Sequence, residues 1–363
     1  MPEPGPEFDT VSLGSYLSAE LDVEIVETTV LNDGLNLSLA LSTADDGRTF
    51  VLRRPNKFRD RETFLDLDQE YEVLHRLQST PIPAPEPVLR CDDESIIGDQ
   101  FLVLTYLDGQ TVPLGSTFPE RFRNPRARRR VAIDLLETLA EIHSLEGARF
   151  ADVCERRTIR EQVARITDQL EEATAVTGRE LPALWEVMDW LQQNVPPHEH
   201  TTFAHGDYRP GNVLFAGTDR LELTGVIDWE TAFLGDPLIE VGYLLLRWRD
   251  DDDPTPPLAE LEARYSDDAV RELKEINERG LAPFTSKPGS PSRRELVTHY
   301  EELSGITVEH ERFYRALAAC TLATVWEDLD RLQLEAGAAV NRGHFVEYLA
   351  MLATSIVSGD RQL

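Results

Sequence analysis

The sequence predicts an α+β protein in two unequal parts, a small N-terminal one around an antiparallel sheet and a larger, mainly helical one. Two observations predict it. Residues 23–54 alternate polar and apolar positions, with turn signals at Asn32-Asp33-Gly34 and Asp45-Asp46-Gly47, the pattern of successive antiparallel strands. From residue 128 onward apolar residues recur at spacings of three and four instead, as in Ala132, Leu135, Leu136, Leu139 and Ile142, the pattern of amphipathic helices.

Each element follows in order. The first ten residues, rich in Pro and Glu, are expected to be loose, and "VSLGSYLSAEL" reads as a short helix. After the strands, "DLDQEYEVLHRLQS" places Leu67, Tyr71, Leu74 and Leu77 on one helical face. "TPIPAPEP" ends that helix, because proline cannot continue one. "IIGDQFLVLTYLDG" supplies a further strand and then Gly109. Three helical segments follow, "RRRVAIDLLETLAEIHSL", "TIREQVARITDQLEEA" and "LPALWEVMDWLQQN". The stretch 203–233 carries short β-prone runs around polar residues and reads as a compact hairpin set into helices. The remainder is helical apart from "RDDDDPTPP", expected to be a solvated acidic loop, and "LAPFTSKPGSPS". No repeat is evident. The division expected is an N-terminal lobe at 1–104, a linker at 105–110 and a C-terminal lobe at 111–363.

Composition narrows the partners. The 363 residues include 66 acidic and 36 basic ones, for a formal net charge of −30, and Lys57, Lys274 and Lys287 are the only lysines. An acidic surface spread over helices and loops repels nucleic acid and anionic membranes. With so few lysines it also suits concentrated salt, where screening shortens repulsion. The three cysteines, Cys91, Cys154 and Cys320, are far apart and form no CxxC pair, which argues against a disulfide scaffold or a zinc site. The N-terminal stretch has no basic segment followed by an apolar one, and no apolar run approaches a membrane span. The expected setting is the cytoplasm. The oligomeric state is left open.

The chemistry concentrates in "FAHGDYRPGNVLF", where Asp207 and Asn212 stand five positions apart between apolar flanks, and Asp228 follows 21 residues after Asp207 in "GVIDWE". Phosphoryl transfer from ATP needs an aspartate to accept the proton of the attacking hydroxyl. It also needs an asparagine and a second aspartate to hold Mg²⁺ against the phosphates. Singly, such residues are turn formers. Together, at this spacing and with these flanks, the catalytic reading leads.

"HGDYRPGNVLF" followed by "GVIDWETAFLGDPLIEVG" resembles the aminoglycoside phosphotransferase family, also called the phosphotransferase enzyme family, over residues 25 to 355. The resemblance implies a two-lobed protein-kinase-like fold and an ATP- and Mg²⁺-dependent enzyme that phosphorylates a hydroxyl of a small molecule. It implies Asp207 as catalytic base, Arg209 as a stabiliser of transition-state charge, and Asn212 and Asp228 as Mg²⁺ ligands. His205 and Asp236 would be structural, Asp236 as a helix cap, and Glu230 would brace the metal loop. In the small lobe Gly34 and Asn36 would approach the phosphates. "FVLRR" resembles the strand that carries the phosphate-binding lysine, here replaced by arginine. Strand alternation lets only one of Arg53 and Arg54 face the cleft, and the family register favours Arg53, with Glu70 as its ion-pair partner and Glu72 pointing elsewhere. Adenine would meet the segment from Leu104 to Leu107.

Several segments, "QEYEVLHRL" and "SRRELVTHYEELSGI" among them, resemble the kinase-like branch associated with acyl-CoA dehydrogenases, which leans toward an acyl or hydroxyacyl metabolite. Acidic pocket walls would instead favour a cationic amino sugar. The alternative in a different class is a catalytically silent nucleotide-binding or regulatory protein, for which Arg53 in place of lysine is the support. A metal hydrolase would want more histidine or carboxylate ligands near His205 than the sequence offers. Tyr243, Trp248, Tyr314 and Trp326 are expected in helix cores.

Overall fold

The alternating residues do form strands. The computed structural model describes residues 10–34, 36–44, 47–56, 64–197, 200–361 and 363. The loose start expected over the first ten residues falls, up to residue 9, outside the described residues, as do Asp45 and Asp46 of the second expected turn. The chain divides into two compact units, one running up to Gly109 and taking in Thr224–Ala232, the other comprising Gln110–Leu223 and Phe233–Leu363.

The first unit holds helix α1 (Thr10–Leu21), strands β1 (Ile25–Asp33), β2 (Asn36–Thr43) and β3 (Thr49–Pro55), helix α2 (Leu67–Leu77), and strands β4 (Pro87–Cys91) and β5 (Phe101–Thr105). The five strands make one antiparallel sheet in the order β1-β2-β3-β5-β4. Period-two alternation sorts its faces. Leu37, Leu39, Leu41, Phe50, Leu52, Phe101 and Val103 pack with Leu13 and Leu17 of α1 into one core cluster. Arg53 pairs across the sheet with Leu102 of β5 and therefore lies on the opposite face. Helix α2 starts at a capping box, in which Asp66 accepts from the Gln69 N–H and the Gln69 side chain accepts from the Asp66 N–H.

Strand β4 was missed by the reading of the sequence, which saw only a proline-rich break there. It lies at the sheet edge, where Pro87 removes no ladder bond from a second neighbour.

The second unit is built on α3 (Pro125–Ser144), α4 (Ile159–Thr177), α5 (Pro182–Gln193), α6 (Leu238–Leu246), α7 (Ala259–Arg264), α8 (Asp267–Arg279), α9 (Arg293–Ser304), α10 (Glu311–Glu335) and α11 (Gly343–Ser358). Its short strands include β6 (Thr202–Ala204) and β7 (Val213–Ala216). They are followed by β8 (Glu222–Val226), most of which belongs to the first unit, and β9 (Phe233–Gly235). Strand β6 runs antiparallel to β9, with Phe203 opposite Leu234. Helix α10 is the hub, packing on α4, α5, α6 and α11.

The acidic run 250–253 is not simply a solvated loop. Asp251 and Asp252 are exposed, but Asp253 is buried. It meets Arg293, itself buried, through both carboxylate oxygens (2.8 and 2.5 Å), and Asp250 accepts the Arg293 backbone N–H (3.1 Å). The run ties the end of α6 to the start of α9. Among the described residues no helix is long and apolar enough to cross a membrane, and the three cysteines, all buried, form no disulfide.

Candidate active site

In the first unit the side chains named from the sequence gather on Arg53. Its Nη1 donates to Glu70 Oε1 (2.7 Å), and its Nη2 reaches both Asp228 Oδ1 and Glu230 Oε2. Burial alone would lower the guanidinium pKa, but the carboxylates of Glu70, Asp228 and Glu230 outweigh it and hold the group firmly charged. The choice between neighbouring arginines is resolved by the strand. Arg53 is buried, whereas Arg54 turns to the other face and donates to the Ile97 carbonyl. Glu72 points away and pairs with Arg76 (3.4 Å).

The same knot takes in Asn36, whose Nδ2 donates to Glu230 Oε2 (2.8 Å). Gly34 donates its N–H to the Asn36 carbonyl (3.2 Å) and accepts from Asn56 Nδ2 (2.7 Å). Leu104 is buried in β5 opposite Val51, and Leu107 is half-buried beyond the strand.

The segment after β8 is anchored by its apolar residue. Trp229 is fully buried and its Nε1 donates to the Val226 carbonyl (2.9 Å), while the Glu230 carbonyl accepts from the Leu65 N–H (2.7 Å). Asp228 between them adopts φ +73°, a left-handed conformation that costs a non-glycine residue about 1 kcal/mol or more and is found at functional positions. Its carboxylate stays about a third exposed.

In the second unit the loop after β6 is held by the backbone. Gly206 sits at φ +89°, open to glycine and costly to others. The buried Glu240 of α6 accepts the N–H of His205 (3.1 Å) and of Gly206 (2.7 Å) and faces His143 Nε2 (3.0 Å). His143 Nδ1 meets the Tyr300 hydroxyl (2.7 Å). Burial would raise the Glu240 carboxyl, but the His143 hydrogen bond, the neighbouring His205 and the Gly206 N–H hold it below its ordinary range. His205 Nδ1 accepts from the Asp207 N–H (3.2 Å), which fixes the loop as expected of a structural histidine. Tyr208 is fully buried and its hydroxyl donates to the Leu135 carbonyl of α3 (2.8 Å).

Asp207 is thereby presented on a pinned backbone. Its Oδ2 accepts from Arg209 Nε (2.9 Å) and from Asn212 Nδ2 (2.7 Å), and Asn212 Nδ2 also reaches the Asp207 carbonyl (3.0 Å). Gly211 leaves room for the Arg209 guanidinium, since a Cβ there would fall 2.2 Å from Arg209 Nη1. Asp236 Oδ1 accepts the Leu238 N–H (2.8 Å) at the start of α6, from one residue before the N-cap, which is Pro237 rather than Asp236.

Reading the sequence missed Glu240, Tyr208, Trp229 and the His143–Tyr300 pair. The one available signal was Glu240, a lone acid in the apolar run "PLIEVGYLLL". Such a residue is buried only with partners.

Oxygen donors are what Mg²⁺ prefers, typically one or two carboxylates together with substrate phosphates and water. In the second unit Asn212 commits its amide nitrogen to Asp207, which leaves its oxygen for a cation, and in the first unit Asp228 keeps a carboxylate about a third exposed. Each is an oxygen donor of the kind that ion takes. Among the described residues no cluster of three His, Cys, Asp or Glu side chains could hold a metal by itself.

The profile of the phosphotransferase enzyme family matches residues 28–276. Human acyl-CoA dehydrogenase family member 11 is 26% identical over 340 residues, which cover 89% of this chain and 39% of that protein. The chain thus spans about two fifths of the length of that curated relative. A crystal structure from Ralstonia eutropha JMP134, described as a candidate aminoglycoside phosphotransferase, superposes with a TM-score of 0.70 at 22% identity, covering 98% of this chain and 100% of that one. A thermostable mutant of aminoglycoside phosphotransferase APH(4)-Ia, solved with AMP-PNP and hygromycin B, gives 0.56 at 16% identity, covering 96% and 100%. The likeness to these structures is one of fold, α+β and kinase-like, with a sheet-based N-terminal part and a largely helical remainder.

Proposed function

The chain belongs to the phosphotransferase enzyme family, and from that premise we propose that it transfers the γ-phosphoryl group of ATP, with Mg²⁺, to a hydroxyl of a small molecule. Asp207 takes the hydroxyl proton as the new O–P bond forms and the bond from the γ-phosphorus to the bridging oxygen breaks, releasing ADP. Arg209 offsets charge on the transferred group. Asn212 and Asp228 would hold Mg²⁺, which would neutralise phosphate charge when bound. Arg53, fixed by Glu70, is the phosphate-binding cation in place of lysine. Its planar fork suits phosphate and its charge is permanent. Gly34 and Asn36 lie by the phosphates and the backbone from Leu104 to Leu107 meets adenine. The setting is cytoplasmic, with neither nucleic acid nor membrane as partner.

The observation that carries this reading is the Asp207 carboxylate, held at once by Arg209 (2.9 Å) and Asn212 (2.7 Å). A base in that role is positioned before substrate arrives. Replacing it tests the reading. Asp207→Asn should lower kcat by about 10²- to 10⁴-fold, the usual contribution of a general base, with Mg²⁺-dependent ATP binding retained. Unchanged phosphoryl transfer to every acceptor would remove Asp207 from the role.

One observation favours the silent alternative. Arg53 bonds to Asp228 directly, and so competes with a metal for that carboxylate. Calorimetry with ATP, with and without Mg²⁺, separates the two. Binding that needs Mg²⁺ and disappears in Asp228→Ala supports the enzyme, and absence of any binding supports the silent protein.

A further inference from the structure

A cavity of about 480 Å³ opens in the second unit, between α8, α10, α11 and residues 114–116. Small-molecule sites typically enclose about 300–1,000 Å³. Leu114, Ile276, Trp326 and Phe345 give it an apolar wall. The Trp326 and Phe345 rings meet edge to face, with centroids 4.7 Å apart at 81°. A place in a helix core was expected of both Trp248 and Trp326. Trp248 has it, 1% exposed and donating Nε1 to the Pro291 carbonyl (2.9 Å). Trp326 is only half-buried, and among the described residues no hydrogen bond reaches its Nε1. Tryptophan pairs a large apolar body with one polar handle that is normally used where it is buried. At Trp326 both are offered to the cavity.

The charges around the cavity cancel. Glu272, Glu275, Arg279 and Arg342 line it, and both arginines already face a carboxylate, Arg279 that of Glu275 (3.7 Å) and Arg342 that of Asp330 (3.2 Å). In a chain of net charge −30 this wall carries no excess of either sign.

The cavity adjoins the loop of Asp207. The Val112 N–H donates to the Pro210 carbonyl (2.9 Å), and the Gly115 N–H donates to the Leu281 carbonyl (3.0 Å). Between these bonds, Pro113 Cα lies 3.9 Å from the point where a Cβ on Gly211 would stand, and Arg209 Nη1 lies 2.2 Å from the same point. Arg209 Nε in turn bonds to Asp207 Oδ2 (2.9 Å). Leu114, one Cα step of about 3.8 Å beyond Pro113, is already cavity wall. Residues 112–116 therefore touch the loop of Asp207 at one end and line the cavity at the other, all within one unit.

We propose that this cavity seats the acceptor, that Trp326 selects it, and that the acceptor is an uncharged alcohol with a ring-bearing apolar body. The proposal rests on the phosphotransferase reading and specifies its substrate class. The ring packs on Trp326 and Phe345, an oxygen on it accepts from Trp326 Nε1, and the hydroxyl extends along residues 112–116 toward Asp207. A polycationic amino sugar is disfavoured, because it would lose hydration against an apolar wall and gain no attraction from balanced charges.

The test measures transfer from Mg²⁺-ATP to neutral ring alcohols (methoxybenzyl alcohol and cyclohexylmethanol), to butanol, and to kanamycin, with the full chain, Trp326→Phe and Trp326→Leu. Expected is turnover of the ring alcohols above the other two. Their KM should rise about tenfold in Trp326→Leu, the worth of a lost aromatic contact, and less in Trp326→Phe, which keeps a ring without the donor. The kcat at saturation, the KM for butanol and Mg²⁺-dependent ATP binding should stay as in the parent. Methoxybenzyl alcohol should also quench a part of the tryptophan emission that is absent from Trp326→Phe, which keeps the test readable if Trp326→Leu fails to fold. Preference for kanamycin overturns the proposal, as does a ring-alcohol KM indifferent to Trp326, or an equal fall of kcat on every acceptor, the mark of a structural tryptophan. Quenching without transfer to any ring alcohol also overturns it, since the cavity would then be a site apart from the reaction. Loss of Mg²⁺-dependent ATP binding in the parent protein instead removes the phosphotransferase reading itself.

Discussion

The two units fix their polar residues by different means. In the first, one cation gathers three carboxylates, with Arg53 bonded to Glu70, Asp228 and Glu230. In the second, one carboxylate gathers backbone N–H groups, with Glu240 bonded to His205 and Gly206 and backed by His143. A knot of side-chain charges can be rebuilt around another cation or anion at modest cost. A carboxylate bonded to main-chain donors holds the loop in one shape whatever binds. The first arrangement suits a place where phosphate and metal arrive with charges of their own. The second suits a base that must already be in position, since a displacement of about 1 Å can cost about 10²-fold in rate.

The sharpest way to break this contrast is to remove each hub. Arg53→Met leaves Glu70 and Glu230, both buried, beside Asp228 without their cation. Breaking a buried pair in this way costs about 3–5 kcal/mol. If the knot is one of charge, added Mg²⁺ should restore part of the unfolding free energy by standing in for the guanidinium, and chemical denaturation with and without Mg²⁺ measures it. A loss that no cation relieves would mean that Arg53 acts by shape and packing.

Glu240→Gln probes the other hub. It keeps one acceptor oxygen but sets an NH₂ group against an N–H or against His143, so it forfeits one or two charge-assisted hydrogen bonds, about 2–3 kcal/mol. No cation should rescue it, and kcat should fall with the displaced loop. The pH dependence has a definite sign. The Glu240 carboxyl lies below its ordinary 4.5 in the folded protein. Its stabilisation is therefore present above about pH 4.5 and is lost as pH falls through the depressed folded value. The acid limb of the stability curve should flatten in the variant, and an unaltered limb would separate Glu240 from acid unfolding.

The same contrast explains what could be read in advance. Alternation along 49–55 put Arg53 and Arg54 on opposite faces, with the family resemblance favouring Arg53, and helical spacing in α2 separated Glu70 from Glu72, because both periods are local. The acidic run 250–253 was misread because the partner of Asp253, Arg293, lies 40 residues away, and nothing local distinguishes Asp253 from the exposed Asp252. Strand β4 was hidden by prolines that only an edge position tolerates. Glu240, His143 and Tyr300 come from three helices, and no spacing links them. Motifs reported the residues proposed for chemistry, while the residues that hold those motifs in place were set by tertiary contacts alone.

Asp134 offers the finest comparison, since it is a carboxylate on the same helix as His143 but without backbone donors. It is 5% exposed, its Oδ1 meets Arg130 (2.5 Å), and its Oδ2 has no hydrogen-bond partner. Burial pushes its pKa up to about 6 against the pull of Arg130, and Glu137 and Glu222 add to the rise. The sign is opposite to that of Glu240. A carboxyl raised from 3.8 to about 6 binds its proton more tightly when folded, so stability falls as pH rises through that window and the deficit is complete above it. Asp134→Asn should therefore stabilise the protein at pH 7, on the order of 1 kcal/mol because half-exposed Arg130 loses its partner in exchange. The gain should vanish below about pH 4, where the parent carboxyl is protonated in both states. Thermal midpoints of both proteins from pH 4 to 8 give the answer. A gain that persists at pH 4 would trace to packing of the amide. A loss at pH 7 would mean that the bond to Arg130 outweighs burial, and that a single guanidinium can hold a buried carboxylate as firmly as the two N–H groups and histidine that hold Glu240.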